Sequence, residues 1–369
     1  MMQNTNIEWC DSTFNPWIGC TKVGPGCDNC YAKADFDDRK HRVTWGAGQA
    51  RSRTKTWGDP VKWNAQPFFE CAECSRECRW RGACNGQSCP ECGGHVVLAR
   101  QRVFCASLAD VFDNEVDPKW RADLFDLILA TPNLDWLLLT KRIGNARKML
   151  NDVAVTRGAL LTVNDEYRPP ANVWLGATVV NQEEADRDIP KLLATPARVR
   201  FLSMEPLLGP VDLKPHLLQC CGCFEEGHPG SYWEPPEGPS CCNQPESTDL
   251  HWVIAGGESG LGARPSHPDW YRSLRDQCAA AGVPFLFKQW GEWIEPDVDG
   301  MPVRLTARVG DPEFFTSAAE MDGFLCIDGR FERSVNDLAD DVPYLGMKRI
   351  GKKAANRLLD GIKHNGFPA

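Results

Sequence analysis

From residue 101 onward, short apolar runs alternate with longer segments whose apolar residues recur at helical spacing. Because the runs are almost uninterrupted, they predict strands that are buried on both faces, as in a parallel sheet. These strands are predicted at 102–106, 134–139, 172–178, 198–204, 251–256 and 284–288. Helices are predicted at 118–130, 182–194 and 268–281, the first with Asp117 as N-cap and Pro118 at its first position. With one more strand before residue 19, the pattern predicts an α/β fold, a partial or complete (β/α) TIM-type barrel.

Two cysteine-rich stretches interrupt this alternation. In the first, 68–95, four cysteines follow the C-x2-C-x14-C-x2-C spacing of a zinc ribbon, and we expect a structural rather than a catalytic site. They are Cys71, Cys74, Cys89 and Cys92, with Cys78 and Cys84 left over for a substitute ligand or a second ion. Arg76, Arg79 and Arg81 leave nucleic-acid contact open as an alternative role. The second stretch, 214–250, is less regular, and its predicted zinc ligands are Cys220 (or Cys221), Cys223, Cys241 and Cys242.

These interruptions divide the chain into six parts. Residues 1–67 carry the first strand, a cysteine loop and a basic, aromatic segment, and 68–95 form the ribbon-like insert. The barrel occupies 96–213 and is completed by 251–293, on either side of the second insert at 214–250. A C-terminal extension, 294–369, holds a hairpin candidate around an Asp-Gly turn. It ends in a predicted basic helix with Lys348, Arg349, Lys352, Lys353 and Arg357.

Composition excludes two classes of protein. Of the 369 residues 42% are hydrophobic and 25% charged, and no apolar run is long enough to span a bilayer. The first residues lack the basic and apolar regions of a signal peptide. The 18 cysteines cluster at metal-ligand spacings, so we expect a reducing cytoplasm with metal sites rather than a secreted disulfide scaffold. Cys10 stands apart and is interpreted as a buried structural thiol.

A separate cysteine group lies in the segment NPWIGCTKVGPGCDNCYA, which runs from Asn15 to Ala32. Cys20, Cys27 and Cys30 are spaced C-x6-C-x2-C, which favours an iron–sulfur cluster held at three corners with one iron left open. A zinc knuckle built on Cys27 and Cys30 is the alternative. Gly19, Gly24 and Gly26 are expected to adopt positive φ and let the loop wrap closely around a cube.

Polar residues follow the predicted strands at the ends where barrel enzymes carry their chemistry. The candidate catalytic residues at these ends are Lys141, Glu205, Glu258 and Lys288. For Glu205, an ion pair with a neighbouring strand-end cation is an equally acceptable interpretation. Asp110, Arg142 and Asn181 belong to the same set of strand-end groups.

The net charge of −9 does not indicate a nucleic-acid-binding protein, but residues 39–63 form a local basic stretch. Its cations alternate with tryptophans, a combination that neutralises phosphates and stacks on unpaired bases. The cations are Arg39, Lys40, Arg42, Arg51, Arg53, Lys55 and Lys62, and the aromatic residues are Trp45, Trp57 and Trp63. We therefore predict nucleic-acid contact, with DNA favoured, and the alternative is a solvated helix with tryptophans packed on the barrel.

The segment from Asn15 to Tyr31 resembles the cluster loop of radical S-adenosylmethionine (radical-SAM) enzymes, especially the spore photoproduct lyase-like branch. The shared pattern is NPW-x-GC, then GC, then CY, although the common spacing of the cysteines is C-x3-C-x2-C. Over nearly its full length the chain resembles the phage-encoded three-Cys-motif family, through LSMEPLLGP, VIAGGESG, FKQWGEW and GKKAANRLLDG.

The resemblance implies a barrel of the radical-SAM kind and an enzyme that uses a [4Fe–4S] cluster on Cys20, Cys27 and Cys30. S-adenosylmethionine would be cleaved to a 5′-deoxyadenosyl radical, which would rearrange or modify a nucleic-acid base, plausibly a modified thymine in phage DNA hypermodification. The expected contacts to S-adenosylmethionine are Tyr31, Ser107, Thr140, Lys141, Thr178, Gly256, Gly257 and Glu258. The resemblance also implies an electron donor such as flavodoxin or ferredoxin, and the cytoplasm of a phage host.

Two other functions stay open on the sequence alone. The first is a non-catalytic zinc- and nucleic-acid-binding protein that acts with a partner enzyme. The second keeps the iron–sulfur cluster but uses it as a redox or sensing device.

Overall fold

The computed structural model describes residue 5 and residues 7–74, 78–82, 88–89, 91–156, 167–217, 250–298, 301–302, 304–305, 321–339 and 343–368. The second cysteine-rich insert, with Cys220, Cys223, Cys241 and Cys242, lies outside these residues, as does Cys84. None of the described helices is both long and apolar enough to cross a membrane.

A seven-stranded parallel sheet forms the centre of the protein. Its strands are β1 (Ser12–Phe14), β2 (Gln101–Cys105), β3 (Leu134–Thr140), β4 (Val173–Thr178), β5 (Val199–Met204), β6 (Trp252–Gly256) and β7 (Phe285–Gln289). Each strand pairs with the next one along the chain, which is the neighbour relation of a (β/α) barrel. Within the described residues β1 and β7 are not paired, so the sheet is open and the expected partial barrel is confirmed.

Four long helices connect the strands, and three of them, all but Ile143–Thr156, lie where the periodicity predicted them. They are α1 (Pro118–Leu129), α2 (Ile143–Thr156), α3 (Gln182–Leu193) and α4 (Pro268–Ala280). The carboxylate of Asp117 accepts a hydrogen bond from Lys119 N at 2.9 Å, which confirms it as the N-cap of α1. Asn181, a strand-end residue, caps α3 in the same way through Glu184 N.

The inner face of the sheet is filled with aromatic side chains toward the N-terminal ends of the strands. Trp9, Trp174, Phe201 and Trp252 belong to one buried cluster, and Phe367 from the C-terminal segment packs against it. Gly176 on β4 leaves the space for this packing, since a Cβ there would lie 2.3 Å from the Phe201 ring.

The excursion between β1 and β2 contains the cysteine loop and the first insert. A short helix at Tyr31–Lys33 continues as a π-helix over Ala34–Arg39, and a further helix spans Asp59–Asn64. Strand Trp17–Ile18 pairs with Ser52–Arg53. The insert is a three-stranded antiparallel sheet of Phe68–Cys71, Arg79–Arg81 and Val96–Ala99.

The C-terminal extension is largely antiparallel. Its strands are Trp293–Ile294, Asp297–Val298, Met301–Pro302, Arg304–Leu305, Gly323–Cys326, Phe331–Glu332 and Tyr344–Arg349. The hairpin predicted around Asp328 and Gly329 is confirmed, with Gly329 at φ 98°. At the end of the chain, Phe287 N donates to His364 O and Gly366 N donates to Phe285 O, so this segment covers the open edge of β7.

The predicted basic C-terminal helix is wrong. Lys348 and Arg349 lie in the strand Tyr344–Arg349, and only Lys352–Ala355 is helical. Positive φ angles of 84° at Gly351 and 55° at Asn356 end the helix on both sides. The basic residues of this segment therefore do not share one helical face.

Candidate functional site

The three-cysteine loop follows β1 directly and lies across the C-terminal ends of the parallel strands. A 3-10 turn spans Pro25–Cys27, and Cys30 immediately precedes the helix that starts at Tyr31. The side chain of Asn29 donates to Glu258 Oε2 and to Gly262 O, both at 2.9 Å, beyond the end of β6. The loop therefore occupies the edge at which barrels of this kind hold their ligands.

The glycines of the loop serve two purposes. Gly19 has φ 110°, as expected, but Gly24 is extended at φ −169°, and Gly26 is not at positive φ, so the prediction was wrong for both. A Cβ on Gly24 would lie 2.7 Å from Glu184 Oε1, and one on Gly26 would lie 2.9 Å from Val180 Cγ1. These two residues are needed for close approach of the loop to the strand ends, not for an unusual backbone conformation.

Cys20 lies against a cation. The guanidinium of Arg142 is 3.2 Å from Cys20 Sγ and donates to Thr21 O at 2.6 Å. The Asp110 carboxylate accepts a hydrogen bond from the Arg142 guanidinium at 3.3 Å. It also accepts hydrogen bonds from the Thr140 hydroxyl and from Lys141 N. Burial raises the pKa of the Cys20 thiol to about 11, and Asp110 adds to the rise, whereas Arg142 opposes it. Arg142 is thus the group that favours the thiolate form of Cys20.

A second arginine holds the middle of the loop. Arg264 donates to both carboxylate oxygens of Glu258, to Asp28 at 2.9 Å and to Pro25 O at 2.9 Å. Asn29 and the backbone of Arg264 add two further hydrogen bonds to Glu258 Oε2. Both oxygens of Glu258 therefore have partners from the protein, and this carboxylate joins the loop to the end of β6.

The three thiols do not converge on one ion. A tetrahedral zinc site has Zn–S distances of about 2.3 Å, which puts its sulfurs about 4 Å apart. In the described part of the chain, only Cys71, Cys74, Cys89 and Cys92 have ligand atoms all within 4.8 Å of one another. Cys20, Cys27 and Cys30 are half-buried free thiols in a loop that has glycines at its close contacts. The three thiols are therefore not arranged as the ligands of one zinc ion.

Several of the predicted strand-end residues contact each other. Lys141 Nζ donates to the Thr178 hydroxyl at 3.2 Å, and Lys288 forms an ion pair with Glu205. The ion-pair interpretation of Glu205 is therefore correct in this structure, and Ser203 also donates to Glu205 Oε1 at 3.3 Å. Burial lowers the pKa of Lys288, but Glu205 outweighs this effect and the net shift is upward. Lys288 is therefore a charged group near the C-terminal end of β7.

On the other side of the strand ends, Tyr31, Ser107 and Asn15 form a short chain of hydrogen bonds. The Tyr31 hydroxyl donates to Ser107 O at 2.6 Å, while 59% of the side chain is exposed. Asn15 Nδ2 is 3.0 Å from Ser107 Oγ, and its Oδ1 accepts from Leu108 N. The first helix after the cysteines is thus anchored to the end of β2.

Three residues predicted to contact S-adenosylmethionine, Gly256, Gly257 and Glu258, instead pack against or bind other parts of the protein. The space beside Gly257 is filled by its neighbour, since a Cβ there would lie 1.8 Å from Trp290 O. Gly256 faces Gln289 O and Lys288 Cβ at 3.4 Å. Close backbone packing between β6 and β7 therefore accounts for both glycines, and the ion pair with Arg264 accounts for Glu258.

The zinc-ribbon prediction agrees with the geometry of the first insert. Cys71 Sγ lies 3.6 Å from Cys92 Sγ, and Cys74 Sγ lies 3.8 Å from Cys89 Sγ. Backbone N–H groups of Glu73 and Cys74 donate to Cys71 Sγ, and Gly94 N donates to Cys92 Sγ. These separations match one tetrahedral ion with four thiolate ligands, so the quartet could bind a metal ion.

The quartet lies near the opposite edge of the sheet from the three-cysteine loop. Arg79 donates to both carboxylate oxygens of Asp11, just before β1, and Arg81 donates to Gln101 at the start of β2. These arginines attach the insert to the N-terminal edge of the barrel, which leaves them engaged by the protein. Position and contacts agree with the expected structural role.

Most cations of the 39–63 segment are also engaged. Arg39 and Lys40 pair with Asp35, Lys62 pairs with Asp59, and Arg53 pairs with Asp123 and lies over the Trp57 ring. Arg51 is 7% exposed and binds Asp113 and Glu115. Trp57 and Trp63 pack against the core. Nucleic-acid contact through this segment stays a prediction, with Arg42 and Lys55 as its exposed cations outside these ion pairs.

Sequence reasoning missed Arg264 and Asn29. The contact of Asn29 with Glu258 and that of Arg264 with Asp28 each span more than 200 residues, and no local pattern indicates them. Arg142 was among the predicted strand-end groups and Asn15 was part of the NPW pattern, but their contacts with Cys20 and Ser107 were not predicted.

A family profile described as "Protein of unknown function (DUF5131)" matches residues 4–368. Neither a search of curated proteins nor a search of solved structures gave a match.

Proposed function

The chain belongs to this DUF5131 family, and since the function of the family is unknown, we propose from the site itself that the protein is a radical-SAM enzyme acting on a nucleic-acid base. The observation that carries the proposal is the position of Cys20, Cys27 and Cys30. They lie in the loop after the first strand of an open parallel sheet, over the strand ends where barrel enzymes place their chemistry.

The local chemistry supports an iron–sulfur cluster at these thiols. Arg142 provides a positive charge next to Cys20, and thiolate ligands need such compensation when they are partly buried. Arg264 and Arg142 hold the additional residues between Cys20 and Cys27, so the long C-x6-C spacing is compatible with a fixed loop. When bound, a [4Fe–4S] cluster would supply the electron that cleaves S-adenosylmethionine to a 5′-deoxyadenosyl radical.

The strand-end residues have distinct roles in this proposal. Lys141, whose ammonium contacts the hydroxyl of Thr178, is placed to bind a carboxylate, such as that of S-adenosylmethionine. Lys288 and Glu205 offer a donor and an acceptor side by side, which suits the edge of a nucleobase. The buried aromatic cluster of Trp9, Trp174, Phe201 and Trp252 would keep water out of the inner face of the sheet.

The substrate class rests on the resemblance to a DNA-lesion lyase. We propose a base in DNA, specifically a modified thymine that is rearranged during hypermodification of phage DNA. A base in duplex DNA would first have to leave the stack to reach strand ends in a concave sheet. A flavodoxin or ferredoxin in the reducing cytoplasm of the host would supply the electron.

The test is anaerobic purification and reconstitution, followed by metal analysis and an assay for S-adenosylmethionine cleavage. We expect a brown protein that absorbs near 400 nm, with about four irons per chain, that forms 5′-deoxyadenosine when reduced. Cys20→Ala, Cys27→Ala and Cys30→Ala should each lose the colour and the activity, whereas Cys78→Ser should keep both. Absence of 5′-deoxyadenosine from fully iron-loaded protein would contradict the proposal.

The alternative is a non-catalytic zinc- and nucleic-acid-binding protein that works with a partner enzyme. The preformed Cys71–Cys74–Cys89–Cys92 quartet favours it, because this geometry needs only zinc. Such a protein would be colourless and contain zinc without iron. A third possibility is a protein that carries an iron–sulfur cluster only for redox sensing. In that protein, Lys141→Ala and Glu205→Gln would leave the function intact.

A further inference from the structure

A cationic cavity lies beside the three-cysteine loop. It has a volume of about 280 Å³ and is bordered by Val23 of the loop, by the start of α2 and by one face of α3. Four cations line it, namely Lys141, Arg142, Arg187 and Lys191, together with a single carboxylate, that of Asp188. The volume is sufficient for a phosphate group with part of a nucleoside attached.

The positive charge in this cavity is not cancelled by its one carboxylate. Asp188 pairs with both Arg187 (2.5 Å) and Lys191 (2.9 Å), so two cations share one anion. Arg142 is supported from behind by Asp110, and the Arg187 guanidinium also lies 3.8 Å from Glu184. Lys141 contacts the Thr178 hydroxyl and has no ion pair with any described residue. The four cations therefore face three nearby carboxylates, those of Asp188, Asp110 and Glu184, and an anion entering the cavity would meet a net positive charge.

Backbone groups add to this charge. Ile143 and Gly144, the first residues of the 14-residue helix α2, also line the cavity. The first N–H groups of a helix have no partner within the helix, and its dipole favours an anion at this end. Side-chain cations and helix N–H groups thus converge on the same space, a combination that suits a phosphate.

We propose that this cavity binds a phosphate group of the nucleic-acid strand or nucleotide on which the enzyme acts. The proposal rests on the proposed function for the identity of the ligand, but its geometry is independent of any radical chemistry. Lys141 borders both the cavity and the strand end that carries Thr178, so a phosphate held here would place the attached nucleoside at the mouth of the sheet. The 39–63 segment, by contrast, directs most of its cations to carboxylates of the protein.

The proposal is tested by binding to the full-length, metal-loaded protein without turnover. The ligands are inorganic phosphate, thymidine 5′-monophosphate, thymidine and a short single-stranded DNA. Arg187→Gln with Lys191→Gln removes two cations that can donate charge-assisted hydrogen bonds to a phosphate, and it should weaken binding of the phosphate-bearing ligand about tenfold or more. A plot of the logarithm of the association constant against the logarithm of the salt concentration should become less steep, by about 1 in slope for each cation removed.

Two matched variants complete the test. Asp188→Asn removes the only carboxylate of the cavity and should strengthen binding severalfold, the opposite direction to the double variant. Lys148→Gln, on the exposed surface of α2 outside the cavity, removes one positive charge that does not line the cavity and should leave affinity unchanged. If the double variant does not fold, the stronger binding expected for Asp188→Asn still tests the proposal.

Each outcome decides the proposal. Binding of the monophosphate but not of thymidine, lost in the double variant, supports it with a nucleotide as the source of the phosphate. Binding of the DNA alone, with the same dependence on Arg187 and Lys191, supports it with a nucleic-acid strand as the source. Equal affinity of the double variant, Asp188→Asn and Lys148→Gln for every ligand overturns it. The assay for 5′-deoxyadenosine is scored separately, so failure of the radical chemistry is distinguished from failure of the phosphate site.

Discussion

Arg264 and Glu258 form a two-point ion pair, with Arg264 NH2 at 2.7 Å from Oε1 and Nε at 2.9 Å from Oε2. The same guanidinium reaches Asp28 and Pro25 O in the three-cysteine loop. Glu258 is 7% exposed, so the pair is largely shielded from water on the carboxylate side. This arrangement makes Glu258 a positioning residue for the loop that carries the cysteines.

Glu258→Gln should destabilise the protein and loosen the loop. The change removes the buried carboxylate that binds Arg264 at two points and leaves it only the more exposed Asp28, so we expect a loss of about 2 kcal/mol in the free energy of unfolding. Denaturant titration measures this loss, and iron analysis after gel filtration should show reduced iron retention. Arg330→Lys, in an exposed pair with Asp328, is the control and should change little. If Glu258→Gln instead kept full stability and iron but lost activity, Glu258 would be a catalytic residue.

Arg142→Met should lower the iron content specifically. The substitution removes the cation 3.2 Å from Cys20 Sγ and the donor to Thr21 O, while keeping much of the side-chain volume. We expect iron per chain to fall and zinc per chain to stay constant, measured on the same reconstituted samples. Lys148→Gln, in an exposed ion pair with Asp152 on α2, should behave as the unaltered protein. Unchanged iron in Arg142→Met would mean that the loop does not depend on this arginine.

Cys74→Ser should release the metal of the quartet and destabilise the insert. Metal binding contributes folding free energy to small cysteine sites, so the unfolding temperature should fall together with the zinc content. Cys78→Ser changes a neighbouring thiol outside the quartet and should retain zinc. The iron that we propose on Cys20, Cys27 and Cys30 should persist in both variants, because the insert attaches near the other edge of the sheet. Loss of iron in Cys74→Ser alone would show that the two sites are coupled.

Asp360 should make part of the stability dependent on pH. Its carboxylate accepts from Arg272 Nε at 2.8 Å and from Arg275 NH1 at 2.6 Å. Burial raises the pKa of Asp360, but the two arginines outweigh it and the net shift is downward. The stabilisation by this ion pair is therefore fully present above the ordinary carboxyl pKa of about 3.9. It is lost as the pH falls through the lower pKa that Asp360 has in the folded protein.

Asp360→Asn tests this directly. At pH 7 we expect it to cost about 0.5–1 kcal/mol, a modest value because the pair is partly exposed to solvent. The difference from the unaltered protein should shrink as the pH falls below about 4. Since Asp360 has φ 53°, a conformation that asparagine tolerates well, backbone strain does not confuse the comparison. A difference that stayed constant with pH would exclude the ionic contribution.

How far the sequence predicts this protein depends on the distance over which each signal acts. Buried strands and amphipathic helices are local patterns, and the predicted strands of the sheet were found within one or two residues of their bounds. The cysteine quartet was predictable because ligand spacing follows from the geometry of one ion.

Contacts between distant residues were not predictable. Glu258 and Asn29 are 229 residues apart, so the sequence suggested a ligand for Glu258 where the structure supplies protein partners. The C-terminal segment shows a different failure. Its lysines and arginines suggested a basic helix, but pairing with Gly323–Cys326 makes Tyr344–Arg349 a strand. Tertiary pairing overrode the local preference there.

The hydrogen bond between Asn15 and Ser107 joins residues 92 positions apart, and it marks the end of the longest excursion between neighbouring strands. Contacts that close long loops form slowly, because closing the loop costs conformational entropy before the new contacts stabilise the chain. We therefore expect β2 to β7, whose connections are shorter, to assemble first, with β1 added at the edge afterwards. The three cysteines would then reach their final positions late in folding, and iron supplied before that time would meet a loop without its two arginines.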